Sequence, residues 1–392
     1  MSFDHVINRI GTNSSKWDLM ERAFGVPADD GIAMWIADMD FAAPDFLQRA
    51  TQGLIEKANY GYFCGLESFH EAVHWWMDNR HGWSVDPNWT FITYGLGHGI
   101  ATALQAFSER GDHIATFTPV YHEFQAKIER GGRVNTQLPL AKDEAGRYVM
   151  DFDAYDALMT GKERILLIST PHNPAGRVWS QEELNELGAF CEKHDLILIA
   201  DEVHHDLVFS GNKHIATAVA LPDLLDRMVI TTAASKTFNV AGGRCGCVIV
   251  PGEKLRATFR AFYNSFDINP NALGVELTKA AYTPEGAAWV DKLMPYIEEN
   301  CRIFKTALDL LPGVEFMPMQ STYLAWVNFE ATGLSMDEVH DRVYKQAHIA
   351  ATPGKNLGTG GETYLRFNMG TQRARITEAT SRLTDVFSDL NS

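Results

Sequence analysis

A chain of 392 residues with 34 Lys and Arg against 50 Asp and Glu carries a formal net charge of −16, and 45% of it is apolar. That length exceeds what one hydrophobic core comfortably fills and predicts two domains, or a large domain with a smaller appendage. The acidic balance has no Lys/Arg cluster to offset it, which excludes a general nucleic-acid or anionic-membrane binder but leaves the charge of any small pocket open.

The first ~45 residues lack strong periodicity and are expected to pack against the C-terminal part. Their start, MSFDHVINRIGTNSS, has no apolar signal core, and no run of about 18 apolar residues occurs anywhere, so a cytoplasmic location is expected. Cys64, Cys191, Cys245, Cys247 and Cys301 are odd in number and scattered, which fits a reducing compartment without a disulfide framework. Cys245-Gly-Cys247 lacks a second ligand pair and reads as buried thiols.

From about 46 to 290, helical periodicity alternates with short apolar runs: 90-TFITY, 113-HIATF, 164-RILLIST, 196-LILIADE, 228-MVITTAAS and 245-CGCVIV. Short buried strands between amphipathic helices predict an α/β fold, a mainly parallel sheet sandwiched by helices. Ser180 and Glu183 form a capping box that opens the helix EELNELGAFCEKH. Residues 285–311 read as one long helix kinked near Pro295. After it, 314-VEFM, 322-TYLAWVNF and 363-TYLRFNMG, with helices at about 335–347 and 371–389, predict a smaller α+β domain. The expected division is 46–290 for the large domain, with 1–45 and 291–392 forming the small one.

Ligands of open parallel sheets bind beyond the carboxyl ends of the strands, and polar residues collect at those ends here. After TFITY comes 95-GLGHGI, a glycine-rich turn leading into a helix, where backbone N–H groups can approach an oxyanion. The run LILIA ends in Asp201, followed by Glu202, Val203, His204 and His205. Asp201 could hold a proton on a heterocyclic nitrogen or cap the strand. A metal is not expected, because adjacent histidines rarely both face one ion. Asn173, in 169-STPHNPAGRV, lies at another strand end, where a plain turn set by Pro174 is the alternative.

The stretch 231-TTAASKTFNVAGGRCG places Lys236 among small residues, with Arg244 as a second cation nearby. Desolvation and nearby positive charge both disfavour an ammonium, so Lys236 can serve as a neutral amine that forms Schiff bases. A lysine snorkelling from a strand end fits the stretch alone equally well. The combination decides: a phosphate-cradling loop, a carboxylate, an asparagine, a lysine and a fixed arginine match pyridoxal 5′-phosphate, with its phosphate, ring nitrogen, phenolic oxygen and aldehyde.

The segment ASKTFNVAGGRCG resembles the lysine signature of fold-type-I pyridoxal-phosphate enzymes of the class I/II aminotransferase superfamily. FDHVINRIGTNSSKWD, MWIADMDF, YGYFCGLESFHEAVHWW, TPHNPAGRVWSQEEL and DEVHHDLVFSGNKH resemble, more closely, the MalY/PatB-type cystathionine β-lyases (C–S lyases). The resemblance implies that Lys236 condenses with the cofactor aldehyde and then shuttles the proton at Cα, and that Asp201 pairs with the pyridine nitrogen. It also implies that Asn173 bonds the phenolic oxygen, with His204 where many relatives carry a tyrosine for that task. Tyr121 would stack on the ring, and Leu96 and Gly97 would offer phosphate-binding amides. Arg366 would bind the substrate α-carboxylate. Tyr60 would reach the phosphate held by a neighbouring subunit, making the active unit a homodimer.

Two departures stand out: Ala233 occupies a position where many transaminases use a phosphate-binding serine, and Arg244 is the transaminase-like choice. The function implied is cleavage of L-cystathionine or another cysteine S-conjugate to a thiol, pyruvate and ammonia, with amino-group transfer to a 2-oxo acid as the alternative. A nicotinamide oxidoreductase read from 95-GLGHG is disfavoured, because the next strand ends in Thr118 and Pro119 rather than an acidic residue. A non-catalytic scaffold fits poorly with a full set of cofactor-contacting residues.

Overall fold

The computed structural model describes residues 2–391. Seven strands make the sheet on which the polar cluster is built: β1 Thr90–Thr93, β2 His113–Thr118, β3 Val134–Pro139, β4 Glu163–Ser169, β5 Ile197–Asp201, β6 Met228–Thr232 and β7 Gly246–Ile249. Their spatial order is β1-β7-β6-β5-β4-β2-β3. All neighbouring pairs are parallel except those made by β7, which runs antiparallel to both β1 and β6. One edge of the sheet therefore collects the carboxyl ends of six strands and the amino end of β7.

The central strands are buried on both faces, which is why RILLIS and ILIAD read as continuous apolar runs rather than alternating ones. β3, with the sequence VNTQLP, is an edge strand whose residues are mostly half-exposed. Its polar composition hides it from any search for apolar runs.

The helices that frame the two sheets and the polar cluster include α1 Asp45–Lys57, α2 Glu67–His81, α3 Leu96–Phe107, α4 His122–Arg130, α5 Gln181–Lys193, α6 Ala234–Thr237, α7 Pro284–Leu308 and α8 Arg373–Val386. The capping box forms as the sequence predicts: Ser180 Oγ accepts from Glu183 N–H at 3.2 Å while Glu183 Oε2 accepts from Ser180 N–H at 2.8 Å. Pro295 lies inside α7, which is a single helix ending at Leu308.

A second sheet, fully antiparallel, comprises β8 Glu315–Phe316, β9 Leu324–Asn328, β10 Thr352–Pro353 and β11 Tyr364–Asn368 in the order β8-β9-β11-β10. Phe304 of α7 packs on Phe367 of β11 with ring centroids 5.3 Å apart. The N-terminal segment joins this region by a short parallel pairing of Ile32–Ala33 with Ile349–Ala350.

Residues 35–41 then form a strap between the two sheets. Asn368 Nδ2 donates to the carbonyls of Ile36 and Asp38, each at 2.6 Å. On the other side, Asn239 exchanges two hydrogen bonds with the backbone of Met39, at 2.7 and 2.8 Å. Asn239 lies three residues past Lys236, so the strap is tied directly to the turn that carries the lysine.

Candidate active site

The residues singled out in the sequence come together at the collected strand ends. A cavity of about 370 Å³ is lined by Leu96 and Gly97 after β1, Tyr121 after β2, Asp201 at the end of β5, Lys236 after β6 and Arg244 before β7.

The first wall is the start of α3. Gly95 adopts φ +80, a conformation an L side chain rarely takes, and turns the chain so that the first-turn N–H groups of α3 face the cavity without helical acceptors. Across from it, a Cβ at Gly246 would lie 2.8 Å from Gly95 C and Leu96 N, so only glycine lets β7 pass this loop. The helix N-terminus favours negative charge, and Arg244 adds a full positive one.

A further cation here has no signature in the sequence. Lys127, on α4, also lines the cavity, with Nζ only 3.3 Å from where a Gly97 Cβ would sit. It is partnered by Glu123 at 2.7 Å. Ala233 is buried outside the cavity, but Ser235 lines it. A hydroxyl and a second cation thus stand near the cradle despite the missing serine at 233.

Lys236 sits on the short turn α6, part-buried. Its Nζ donates to the Ala37 carbonyl of the strap at 2.8 Å and has no carboxylate partner at hydrogen-bonding distance. Burial, then the nearby Arg366 guanidinium, bring its pKa down to about 8. Asp201 is buried in the same cavity, with Oδ1 accepting from Val203 N–H at 3.2 Å. Burial pushes its pKa up to about 6. A carboxylate so placed gains from any cationic N–H brought to it.

Arg366, on β11, is buried and bound by neutral groups only. It donates to Asn173 Oδ1 at 3.0 Å, the Trp35 carbonyl at 3.1 Å and Thr352 Oγ1 at 3.3 Å, while its Nε has no partner. Burial lowers its pKa to about 10. The plain-turn alternative for Asn173 is therefore incomplete, since its side-chain oxygen is committed to Arg366 across the site.

His204 is buried with Nδ1 unpartnered, its ring edge against Tyr323 at 6.1 Å, and burial keeps it well below the usual histidine range. Burial likewise raises the Tyr121 phenol to about 12, so it remains neutral. Tyr60 is not brought into this cavity. It is 79% exposed and lines a separate surface hollow with Tyr62 and Phe63, although Tyr94 borders both spaces.

These groups fit pyridoxal phosphate on the chemistry of the donors. Two cations and helix-start amides suit a phosphate dianion, and an amine poised near neutrality suits an aldehyde. A buried carboxylate short of positive charge suits a protonated ring nitrogen. Sequence reasoning missed Lys127, Ser235 and the strap carbonyls, because backbone oxygens and packing neighbours leave no residue-type signal.

The model of the family described as aminotransferase class I and II matches residues 42–383. The chain belongs to that family. It is a pyridoxal-phosphate-dependent family, which removes the nicotinamide reading of the glycine-rich turn. Among relatives, cystathionine β-lyase PatB of Bacillus subtilis (strain 168) is 36% identical over 391 residues, covering 99% of this chain and 100% of that protein. Among solved structures, cystalysin of Treponema denticola, which contains a pyridoxal 5′-phosphate cofactor, superposes with a TM-score of 0.94 at 28% identity over 99% of both chains. A PLP-bound C–S lyase of Staphylococcus hominis superposes with a TM-score of 0.90 at 27% identity, over 99% of this chain and 98% of that one.

Proposed function

We propose that the protein is a pyridoxal-phosphate-dependent carbon–sulfur β-lyase that cleaves L-cystathionine or related cysteine S-conjugates to a thiol, pyruvate and ammonia. The observation that carries the chemistry is the Lys236 amine, held near neutrality beside Asp201 in a cavity with an anion cradle. The choice of elimination is supported by 36% identity to a cystathionine β-lyase along the full chain.

The bound cofactor would supply an aldehyde for the amine and a protonated ring that takes up the electron pair left at Cα. The start of α3 at Leu96 and Gly97, with Arg244, would hold the phosphate. Asp201 would keep the proton on the ring nitrogen, Tyr121 would cover the ring face, and Asn173 with His204 would face the phenolic oxygen. Arg366 would turn its unpartnered Nε, with an adjacent N–H, toward the substrate α-carboxylate as a bidentate fork. Lys236, in its neutral form, would take the Cα proton, after which the C–S bond breaks and the sulfur leaves as a thiolate. The remaining enamine hydrolyses to pyruvate and ammonia, so the overall reaction consumes one water.

The same reading makes residues 46–290 the cofactor-binding domain and 1–45 with 291–392 the smaller one. It makes the active unit a homodimer in which Tyr60 reaches the partner's phosphate. In support, Tyr60, Tyr62 and Phe63 are exposed aromatics beside a hollow that shares Tyr94 with the cavity. A cytoplasmic location is supported by five free cysteines. No helix among the described residues is long and apolar enough to cross a membrane.

A second reading, aminotransferase, is favoured by Arg244 at the cavity and by the family as a whole. Product analysis separates the two. Incubating the PLP-loaded enzyme with L-cystathionine and no oxo acid is expected to yield pyruvate, ammonia and free thiol in equal amounts. Turnover that requires an added 2-oxo acid would assign transfer instead.

A further inference from the structure

His204 and His205 are adjacent in the chain but part company in space. His204 packs against Tyr323, whereas His205 stacks on His81 of α2 at 3.9 Å, behind the strand end that carries Asp201. There it meets Glu202 and His214, and ligand atoms of these three residues lie within 4.8 Å of one another. All three side chains are buried, and Glu202 Oε2, His205 Nδ1 and His214 Nε2 have no hydrogen-bond partner.

We propose that Glu202, His205 and His214 form a buried site for a divalent transition-metal ion of the zinc class.

Three observations carry the proposal. First, the spacing is that of a donor set. Donors bonded at about 2.0–2.2 Å in a tetrahedron stand about 3.4 Å apart. Glu202 Oε2 is 3.5 Å from His214 Nε2 and 4.0 Å from His205 Nδ1, so these two pairs close with a shift of about 0.6 Å or less. That longer distance is too great for a hydrogen bond.

Second, the outer partners aim the donors inward. His205 Nε2 faces Asp206 Oδ2 at 3.4 Å and Thr232 Oγ1 at 3.2 Å. A carboxylate only accepts, so it draws the proton to Nε2 and leaves the Nδ1 lone pair pointing at Glu202. The other oxygen of Glu202 accepts from Thr217 N–H at 2.7 Å, which fixes the carboxylate. The Thr217 hydroxyl is itself buried without a hydrogen-bond partner.

Third, a lone pair facing a carboxylate in a dry interior is repulsive unless positive charge lies between them. Two carboxylates, Glu202 and Asp206, are buried in this cluster. A divalent ion between them supplies that charge.

The site is coupled to the reacting lysine through Asp206. The Oδ2 that faces His205 also accepts from Thr237 Oγ1 at 2.8 Å, on the turn that carries Lys236. Because the cluster is sealed, the ion would enter during folding and exchange slowly.

The test uses the full-length, PLP-loaded enzyme expressed with zinc and dialysed against chelator, with metal measured by mass spectrometry. Wild type is expected to retain about one zinc per chain, and Glu202→Gln and His214→Gln to lose at least about tenfold of it. X-ray absorption at the zinc edge of the wild type should report nitrogen and oxygen donors only, and it decides the matter if the variants fail to fold. Retention below about a tenth of an ion per chain, undiminished zinc in folded variants, or sulfur donors at the edge would each overturn the proposal.

Discussion

Lys16 and Lys236, the first wholly buried and the second part-buried at the cavity, differ in how their charge is met. Lys16 is wholly buried, with Nζ 3.0 Å from Asp40 Oδ2 and 3.0 Å from the Asp38 carbonyl. Arg9 closes the cluster on Asp38 and Asp40, each at 2.8 Å. Burial alone would raise Asp40, but Lys16, the Trp17 N–H and Arg9 hold it below the usual carboxylate range. Lys236 has only a backbone carbonyl, at 2.8 Å, and its pKa falls to about 8. Saturated charge holds the strap in place, and unsaturated charge waits for a ligand. Arg366 and Asp201 belong with Lys236 in the second class: one is bound by neutral groups, and the other is raised to about 6.

The strongest way to break this distinction is to neutralise one carboxylate of each kind. Asp201→Asn should lower kcat about 10²- to 10³-fold, because the ring nitrogen loses its counter-charge, while leaving the cofactor-free protein at least as stable at pH 7.5. Asp40→Asn leaves Lys16 uncompensated and should cost about 3–5 kcal/mol by denaturant titration, with kcat of the folded fraction changed far less. If both variants lose stability and retain rate, the division is wrong.

Arg366→Met addresses the same point from the cationic side. Losing a two-pronged, charge-assisted contact to a carboxylate should raise KM for the amino acid roughly 10²-fold. Thermal stability of the cofactor-free protein should hold or rise, since a buried guanidinium without a carboxylate partner is removed.

The pH dependence of cofactor-free stability sharpens the contrast. Lys236 is depressed from 10.5 to about 8, so the unfolded chain binds the extra proton and stability rises with pH across that window. Asp201 is raised from 3.8 to about 6, so the folded chain binds the extra proton and stability falls as pH rises between those values. Each shift corresponds to roughly 3 kcal/mol. Lys236→Met should flatten the upper window and Asp201→Asn the lower one, read by urea titration at a series of pH values. The smallest effect belongs to Tyr60→Phe: if the proposed homodimer brings its hydroxyl to the partner's phosphate, cofactor retention should weaken roughly two- to tenfold.

Much of this was legible in the chain. The apolar runs became six of the seven strands of the main sheet, and Ser180 with Glu183 capped α5, because burial and capping leave marks on residue type. The polar strand end at Asp201 and the small-residue bed of Lys236 were readable for the same reason. β3 was not, since VNTQLP carries no apolar run. Lys127 was not, because only the packing of α4 against Gly97 brings it to the cradle. The buried role of Lys16 was invisible too, as a lysine in NSSKWD looks solvated until Asp40 is seen beside it. The clash between neighbouring histidines was resolved by folding: His204 and His205 turn to different sides, and His214 arrives from farther along the chain.

The central claim concerns one amine. Borohydride reduction of the cofactor-loaded protein, followed by peptide mass mapping, tests it directly. The account predicts one pyridoxyl-phosphate adduct, on the peptide containing Lys236, and none in Lys236→Ala. An adduct on another lysine, or unchanged labelling in that variant, would contradict it.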